Sequence, residues 1–143
     1  MIRQEIDIDG WWRLTVFYAP GDSDVREVTD AYRGLGCPES DIDTIRTDIL
    51  PRLNKGSTFT SGYLRHSVTV IGRASSWDQF FDTVLHEVKH IVDDIVSWYG
   101  IMNYGEPPAY LQGEIGRMMA PAIRRIACPC CGTEKETPNP ILS

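Results

Sequence analysis

The longest regular pattern in the sequence is a stripe of apolar residues between Ser76 and Gly100. Ser76, followed three residues later by Gln79, has the form of a helix-capping box, and Gly100 is a typical helix stop. The apolar residues between them recur at the three- and four-residue spacing of a buried helix: Phe80, Phe81, Val84, Leu85, Val88, Ile91, Val92 and Ile95. The pattern predicts one long helix, around which the rest of the chain must pack.

Shorter patterns on both sides of this helix predict strands as well as further helices. Aromatic and β-branched residues predict strands over residues 11–19, 56–63 and 65–73. Helical spacing predicts helices over residues 22–36, 40–53 and 107–126. We therefore expect an α+β fold, in which a small, mostly antiparallel sheet packs on helices and the long helix lies at the centre. We expect one domain at residues 1–127 and a cysteine-containing tail at residues 128–143.

Length and charge argue against several classes of protein. A chain of 143 residues is long enough for one domain and short for two. Its net charge of -6 and pI near 5.0 do not suit the phosphate attraction of basic nucleic-acid binders, so we expect no nucleic-acid partner. The acidic start of the chain is unlike a signal peptide, and no apolar run is long enough to span a membrane. We therefore expect a cytoplasmic protein without a membrane partner, whose oligomeric state the sequence leaves open.

The predicted long helix contains a metal-binding pattern. His86, Glu87 and His90 form an HExxH sequence, in which the two histidines lie one helical turn, about 6 Å, apart on the same face. Both imidazoles can then bind one tetrahedral Zn²⁺, and Glu87 lies beside the open coordination position. There Glu87 can take a proton from a metal-bound water and pass it to a leaving amine. The pattern predicts a zinc cofactor and a general base.

A catalytic zinc of this kind needs a third protein ligand. The candidates are Asp93, Asp94, Glu106, Glu114 and His66. Asp94 lies eight residues beyond His86 on the same helix, a rise of about 12 Å, and Asp93 is excluded for a similar reason. Glu106 begins the last predicted helix, which an antiparallel return brings back toward the histidines, so it is the preferred ligand. Glu114, two turns further along, is the second choice.

Two features of the last predicted helix accompany the HExxH motif. Glu106-Pro-Pro-Ala109 begins this helix, and Met118-Met119-Ala120-Pro121 lies near its end. With the motif they resemble the minimal gluzincin core of the ImmA/IrrE-like metallopeptidases, whose second helix opens with a glutamate ligand three residues before an alanine. Residues 65–111 also resemble short HExxH proteins of phages and prophages of gut Bacteroidales, which are described as metallopeptidases. The first fifty residues add nothing to either resemblance.

The resemblance implies roles for four residues: His86, His90 and Glu106 as zinc ligands, and Glu87 as the general base. The chain departs from the family pattern at two positions. Tyr110 stands where the ImmA/IrrE pattern usually has asparagine, and Pro121 comes a few residues late. Both departures affect the register of the last helix, so the choice between Glu106 and Glu114 stays open.

Three of the four cysteines lie together near the end of the chain. The segment Cys128-Pro-Cys130-Cys131-Gly has the form of one zinc knuckle, in which Cys128 and Cys131 both bind a metal. Only half of a site is visible, and the other ligands would be Cys37, His66 or the same knuckle from another subunit. Reactive or disulfide-forming thiols and unpaired cysteines are the alternatives.

Together these patterns predict a zinc metallopeptidase with a peptide or protein substrate, in the host cytoplasm if a phage encodes it. We expect the predicted strand at residues 65–73 to be an edge strand that holds an extended peptide beside the metal. The alternative is a non-catalytic zinc-binding protein with a regulatory or structural role in a phage or prophage. The two functions differ at Glu87, which only the enzyme needs.

Overall fold

The computed structural model describes residues 1–127. In chain order, the elements are β1 (Ile2–Ile8), β2 (Trp12–Tyr18), α1 (Val25–Gly34), α2 (Glu39–Thr44), β3 (Gly56–Ser61), β4 (His66–Ile71), α3 (Trp77–Trp98) and α4 (Glu106–Ala127). A 3₁₀ turn at Asp22–Asp24 precedes α1, and a π-helical turn at Ile45–Ile49 follows α2. The α+β class predicted from the sequence is confirmed. The predicted tail at residues 128–143 lies outside the described residues.

The four strands form one mixed sheet in the order β1-β2-β4-β3. The outer pairs, β1 with β2 and β3 with β4, are antiparallel, whereas the inner pair of β2 and β4 is parallel. The sheet is therefore mostly antiparallel, as expected. The prediction that residues 65–73 form an edge strand is wrong, because the parallel pairing with β2 places β4 inside the sheet. The edge strand on that side is β3, the other arm of the hairpin.

Side chains alternate along the strands, so the sheet has two buried faces. Leu14, Val16 and Ile71 point to one face and belong to the apolar cluster covered by α3 and α4. Phe17 and Val70 point to the other face and belong to the cluster covered by α1 and α2. The parallel pair at the centre of the sheet is thus covered on both sides, which is typical of parallel strands.

The motif-bearing helix α3 begins and ends close to the predicted positions. The Ser76 hydroxyl accepts a hydrogen bond from the backbone N–H of Gln79 at 3.2 Å. Just beyond the last turn, Gly100 has a φ of +67°, a left-handed conformation that glycine adopts without strain. The helix lies across β3 and β4 and packs along α4 on its other side. Of the helices in residues 1–127, none combines the length and apolar character needed to cross a membrane.

Two parts of the N-terminal half differ from the sequence-based predictions. The helix predicted over residues 40–53 is α-helical only to Thr44 and then widens into the π-helical turn, after which Pro51 cannot continue the backbone hydrogen bonds. β1 was not among the predicted strands. Its Ile6 and Ile8 are nevertheless buried while Asp7 between them is exposed, which is the alternation of a half-buried strand.

Candidate functional site

Helix α3 presents the HExxH motif with its histidines outward and its glutamate inward. Because successive helical residues are about 100° apart, His86 and His90 share one face while Glu87 turns toward the sheet. The side chain of His86 is 64% exposed, whereas Glu87 as a residue is only 3% exposed. The motif therefore places two imidazoles at the surface, next to one buried carboxyl group.

The two imidazoles lie edge to face against each other. Nε2 of His86 is 3.1 Å from Nε2 of His90. Two nitrogens bound to a tetrahedral zinc at about 2.0–2.1 Å lie about 3.3–3.4 Å apart. The histidine pair is thus close to the spacing that one zinc ion requires, and imidazole nitrogen is a donor that suits zinc.

The carboxyl group of Glu87 is fixed between the sheet and the histidines. Oε1 accepts a hydrogen bond from the Thr58 hydroxyl at 2.7 Å, and Oε2 lies 4.0 Å from Nε2 of His86. Burial raises the pKa of Glu87 above its ordinary value, and the Thr58 hydrogen bond and the two histidines oppose that rise. One oxygen is therefore held by the fold, and the other faces the histidines.

A strip of four small hydroxyl side chains, called here the polar strip, lies on the sheet beneath α3: Thr58, Thr60, Ser67 and Thr69. Thr58 pairs with Thr69 and Thr60 pairs with Ser67, each at 2.8 Å. Each β3 threonine also donates to an acid on α3, Thr58 to Glu87 and Thr60 to Asp94. Because a hydroxyl has one hydrogen, Thr69 and Ser67 must be the donors across the strands. Two relays of the same design thus hold two carboxylates.

Gly56 lets α3 approach β3 at the level of the motif. A Cβ added at this position would lie 2.8 Å from Cγ of Glu87, 2.9 Å from Cγ2 of Thr83 and 2.9 Å from the carbonyl oxygen of Val70. Real Cβ atoms do not come so close to their neighbours, so the packing of the glutamate against the strand depends on glycine.

The structure does not bring the preferred third ligand to the histidines. Glu106 is the first residue of α4 and is exposed. Helix α4 packs on the side of α3 that carries Leu85 and Val88, roughly opposite the side that carries the histidines. Within residues 1–127, no three histidine, cysteine, aspartate or glutamate side chains are arranged as a metal-binding group. Glu106 as a zinc ligand therefore stays a prediction.

The other candidates for the third ligand have partners elsewhere. Glu114 lines a cavity beside β1, and its arginine neighbour one turn along α4 lowers the pKa of its carboxyl group. His66 lies on the opposite face of the sheet, where its Nε2 is 2.8 Å from Oγ1 of Thr15. Asp93 forms an ion pair with the lysine inside the motif. Asp94 accepts its hydrogen bond from Thr60 at 2.8 Å.

The predicted zinc knuckle is not tested, because Cys128, Cys130 and Cys131 lie outside the described residues. Cys37 is 5% exposed and belongs to the apolar cluster under α1 and α2. Burial raises the pKa of its thiol. A protonated thiol in such a place behaves as a small hydrophobic side chain.

The polar strip is the part of the site that the sequence analysis missed. The polar strip could have been predicted from the two-residue spacing of Thr58 and Thr60 in one strand and of Ser67 and Thr69 in the next. Once Val68 is placed on one face, both hydroxyls of β4 must lie on the other, toward the motif helix.

The resemblance to ImmA/IrrE-like metallopeptidases also stays a prediction. No protein-family model, no curated protein sequence and no solved structure matches the chain.

Proposed function

We propose that the protein is a zinc-dependent metallopeptidase that cleaves a peptide or protein substrate in the cytoplasm. His86 and His90 bind Zn²⁺, and Glu87 is the general base. The observation that carries the proposal is the arrangement around the motif: two imidazoles with Nε2 atoms 3.1 Å apart, and a buried carboxyl group whose free oxygen lies 4.0 Å from one of them. A hydrolytic site needs this combination of metal donors and base.

The donor set fits zinc. Two exposed imidazoles one helical turn apart supply nitrogen ligands, and their exposure leaves room for further ligands and a substrate. When bound, zinc supplies a Lewis acid that acidifies water and polarises a peptide carbonyl group. Glu106 is the third protein ligand that we test, since the resemblance implies it.

Glu87 performs the proton transfers in the proposed reaction. Its Oε1 is occupied by the Thr58 hydroxyl, so Oε2 accepts the proton of the attacking water as the water oxygen bonds to the carbonyl carbon. The same oxygen then gives this proton to the amine nitrogen as the carbon–nitrogen bond breaks. Burial, which raises the pKa of Glu87, favours the protonated carboxyl group and so helps it to take up the proton in the first step.

The test separates metal binding from hydrolysis. Purified wild-type protein should contain one zinc per chain, and His86→Ala should lose it, because a single imidazole binds zinc weakly. Glu87→Gln should keep its zinc while the hydrolysis of a mixed peptide library, followed by mass spectrometry, falls about 10²- to 10⁴-fold. Glu106→Ala should lower zinc affinity if Glu106 is the third ligand.

Lys89→Gln is the matched control, since it changes the motif at an exposed position that pairs with Asp93 instead of pointing to the histidines. It should leave both zinc content and hydrolysis unchanged. Wild-type protein that binds zinc and cleaves nothing would contradict the peptidase and favour a non-catalytic zinc-binding protein. Wild-type protein that binds no zinc at neutral pH would contradict both.

A further inference from the structure

A polar cavity lies beside the motif, between the C-terminal half of α3 and the end of β3. It has a volume of about 470 Å³, within the range of small-ligand sites. Its walls are mostly polar, and the residues that matter are Thr58 and Thr60 of β3, Gly62 in the hairpin, and Asp94, Ser97 and Trp98 of α3. Because Thr58 also binds Glu87, the cavity and the candidate catalytic site share a wall.

Asp94 gives this cavity a fixed negative charge. Its Oδ2 accepts the Thr60 hydroxyl at 2.8 Å, and Thr60 is held by Ser67, which accepts the indole N–H of Trp12 at 3.1 Å. The relay orients the carboxylate without neutralising it. No ion pair involves Asp94 within residues 1–127, whereas the adjacent Asp93 is paired with Lys89. Asp94 therefore has a carboxylate oxygen available for a cationic ligand.

Trp98 forms an aromatic wall of the same cavity. Its ring packs directly on Gly62, where an added Cβ would lie 2.1 Å from the ring. The residue is nevertheless 53% exposed, so part of the indole faces solvent. An aromatic ring and a carboxylate that line the same cavity suit an ammonium or guanidinium group, because each of them attracts a cation.

We propose that this cavity binds the lysine or arginine side chain of a peptide whose backbone lies at the histidines. The inference rests on the proposed function, since it assigns the residue preference of that peptidase. Asp94 comes one helical turn after His90, a rise of about 6 Å, so a side chain near the cleaved bond can reach it. The carboxylate of Asp94 would repel an acidic side chain. An apolar side chain would remove this carboxylate from water without forming an ion pair with it.

The experiment compares two peptides that differ at one position, lysine in one and norleucine in the other. We expect wild-type kcat/KM to favour the lysine peptide at least about tenfold. Asp94→Asn should reduce this ratio to about one, because the amide oxygen still accepts from Thr60 but carries no charge. Asp93→Asn, a change of the same kind one residue away, should leave the ratio unchanged.

A binding measurement keeps the inference testable if nothing is cleaved. Zinc-loaded Glu87→Gln is titrated with both peptides by calorimetry, and Asp94→Asn in that background is titrated as the comparison. Selective binding of the lysine peptide that depends on Asp94 supports the cavity even if the wild type hydrolyses nothing, a result that would contradict only the peptidase. Hydrolysis without a lysine preference, or neither hydrolysis nor selective binding, overturns the inference.

Discussion

Two clusters of polar side chains lie on opposite faces of the sheet: α3 covers the first, whereas the acid and the histidine of the second are partly exposed. The covered cluster is the polar strip with Glu87 and Asp94, which α3 closes from above. The open cluster consists of Glu5, Thr15 and His66, where the threonine hydroxyl donates to the glutamate at 2.9 Å and lies 2.8 Å from the histidine. In the open cluster Glu5 remains about half exposed, its side chain being 46% exposed.

The difference shows what a covering helix does to a hydroxyl–carboxylate pair. In the open cluster Thr15 itself is 2% exposed, but Glu5 and His66 are both partly exposed, so water can replace the hydrogen bond that either of them loses and each hydrogen bond adds little to stability. In the covered cluster Glu87 is 3% exposed, and its carboxyl group depends on Thr58 as a donor. An apolar residue in place of Glu87 would be buried at a lower free-energy cost. The buried acid is therefore better explained by the fixed orientation of its carboxyl group than by a contribution to stability.

Matched threonine-to-valine substitutions in the two clusters should give the largest contrast. Thr58→Val leaves the Glu87 carboxyl group buried without its donor, and we expect the free energy of unfolding to fall by about 1–3 kcal/mol. Thr15→Val removes a hydroxyl whose two partners reach water, and we expect a loss below about 1 kcal/mol. Urea denaturation of both variants measures the difference.

The same pair of variants separates orientation from simple packing. Thr58→Val should keep its zinc yet lose about 10- to 100-fold in kcat, because the base is no longer held in place. Thr58→Ser restores the donor and should recover most of that rate, whereas Thr15→Val should not change it. Equal unfolding losses in the two clusters, or full kcat in Thr58→Val, would show that the covering helix gives Glu87 no special dependence on Thr58.

Much of the fold and the centre of the site follow from local sequence patterns. The limits of α3 follow from the Ser76 cap and the Gly100 stop, and the motif fixes which faces of that helix carry the histidines and the glutamate. Such features depend on residues within a few positions of one another. For that reason they can be predicted from one chain without knowledge of its tertiary contacts.

What the sequence could not predict depends on distant segments. The position of β4 inside the sheet depends on its parallel pairing with β2, more than fifty residues away, as in the register of Thr15 with Val68. The side of α3 on which α4 packs likewise depends on tertiary contacts. That side determines how far Glu106 lies from the motif. The hydrogen-bond acceptors of Thr58 and Thr60 could not be predicted either, because both acceptors lie on another element, α3.

Paired glycine-to-alanine substitutions test how tightly the covered cluster is closed. Gly56→Ala would push a methyl group against Glu87 and Thr83, and we expect a loss of about 1–3 kcal/mol from overpacking. Gly116→Ala, in α4, meets nothing within 4 Å and should instead stabilise the protein by about 0.5–1 kcal/mol through helix propensity. Opposite signs are expected from thermal unfolding of the two variants. If Gly56→Ala leaves the stability unchanged, α3 can move away from β3 without a loss of free energy of unfolding.

The smallest effect is expected from His66 in the open cluster, and it depends on pH. Burial, with a further contribution from Arg13, lowers the pKa of His66 below its ordinary value. The unfolded chain therefore takes up this proton first as the pH falls, near about pH 6.5, and protonation favours unfolding. The stability that neutral His66 contributes is present above that pH and is lost as the pH falls through the lowered pKa.

His66→Gln keeps a donor for Thr15 but cannot titrate, so it isolates this effect. Every other residue is the same in both proteins, so the difference between them reports on position 66 alone. Between about pH 7.5 and about pH 5, the wild type should lose less than about 1 kcal/mol more stability than the variant, because His66 is only half-buried and water screens its charge. Unfolding curves at several pH values measure this difference. The difference in the free energy of unfolding could instead stay constant, or change in favour of the wild type at low pH. Either result would mean that the folded protein accommodates the protonated histidine as well as the neutral one. The open cluster would then tolerate charge in a way that the covered one, with its buried Glu87, is not expected to do.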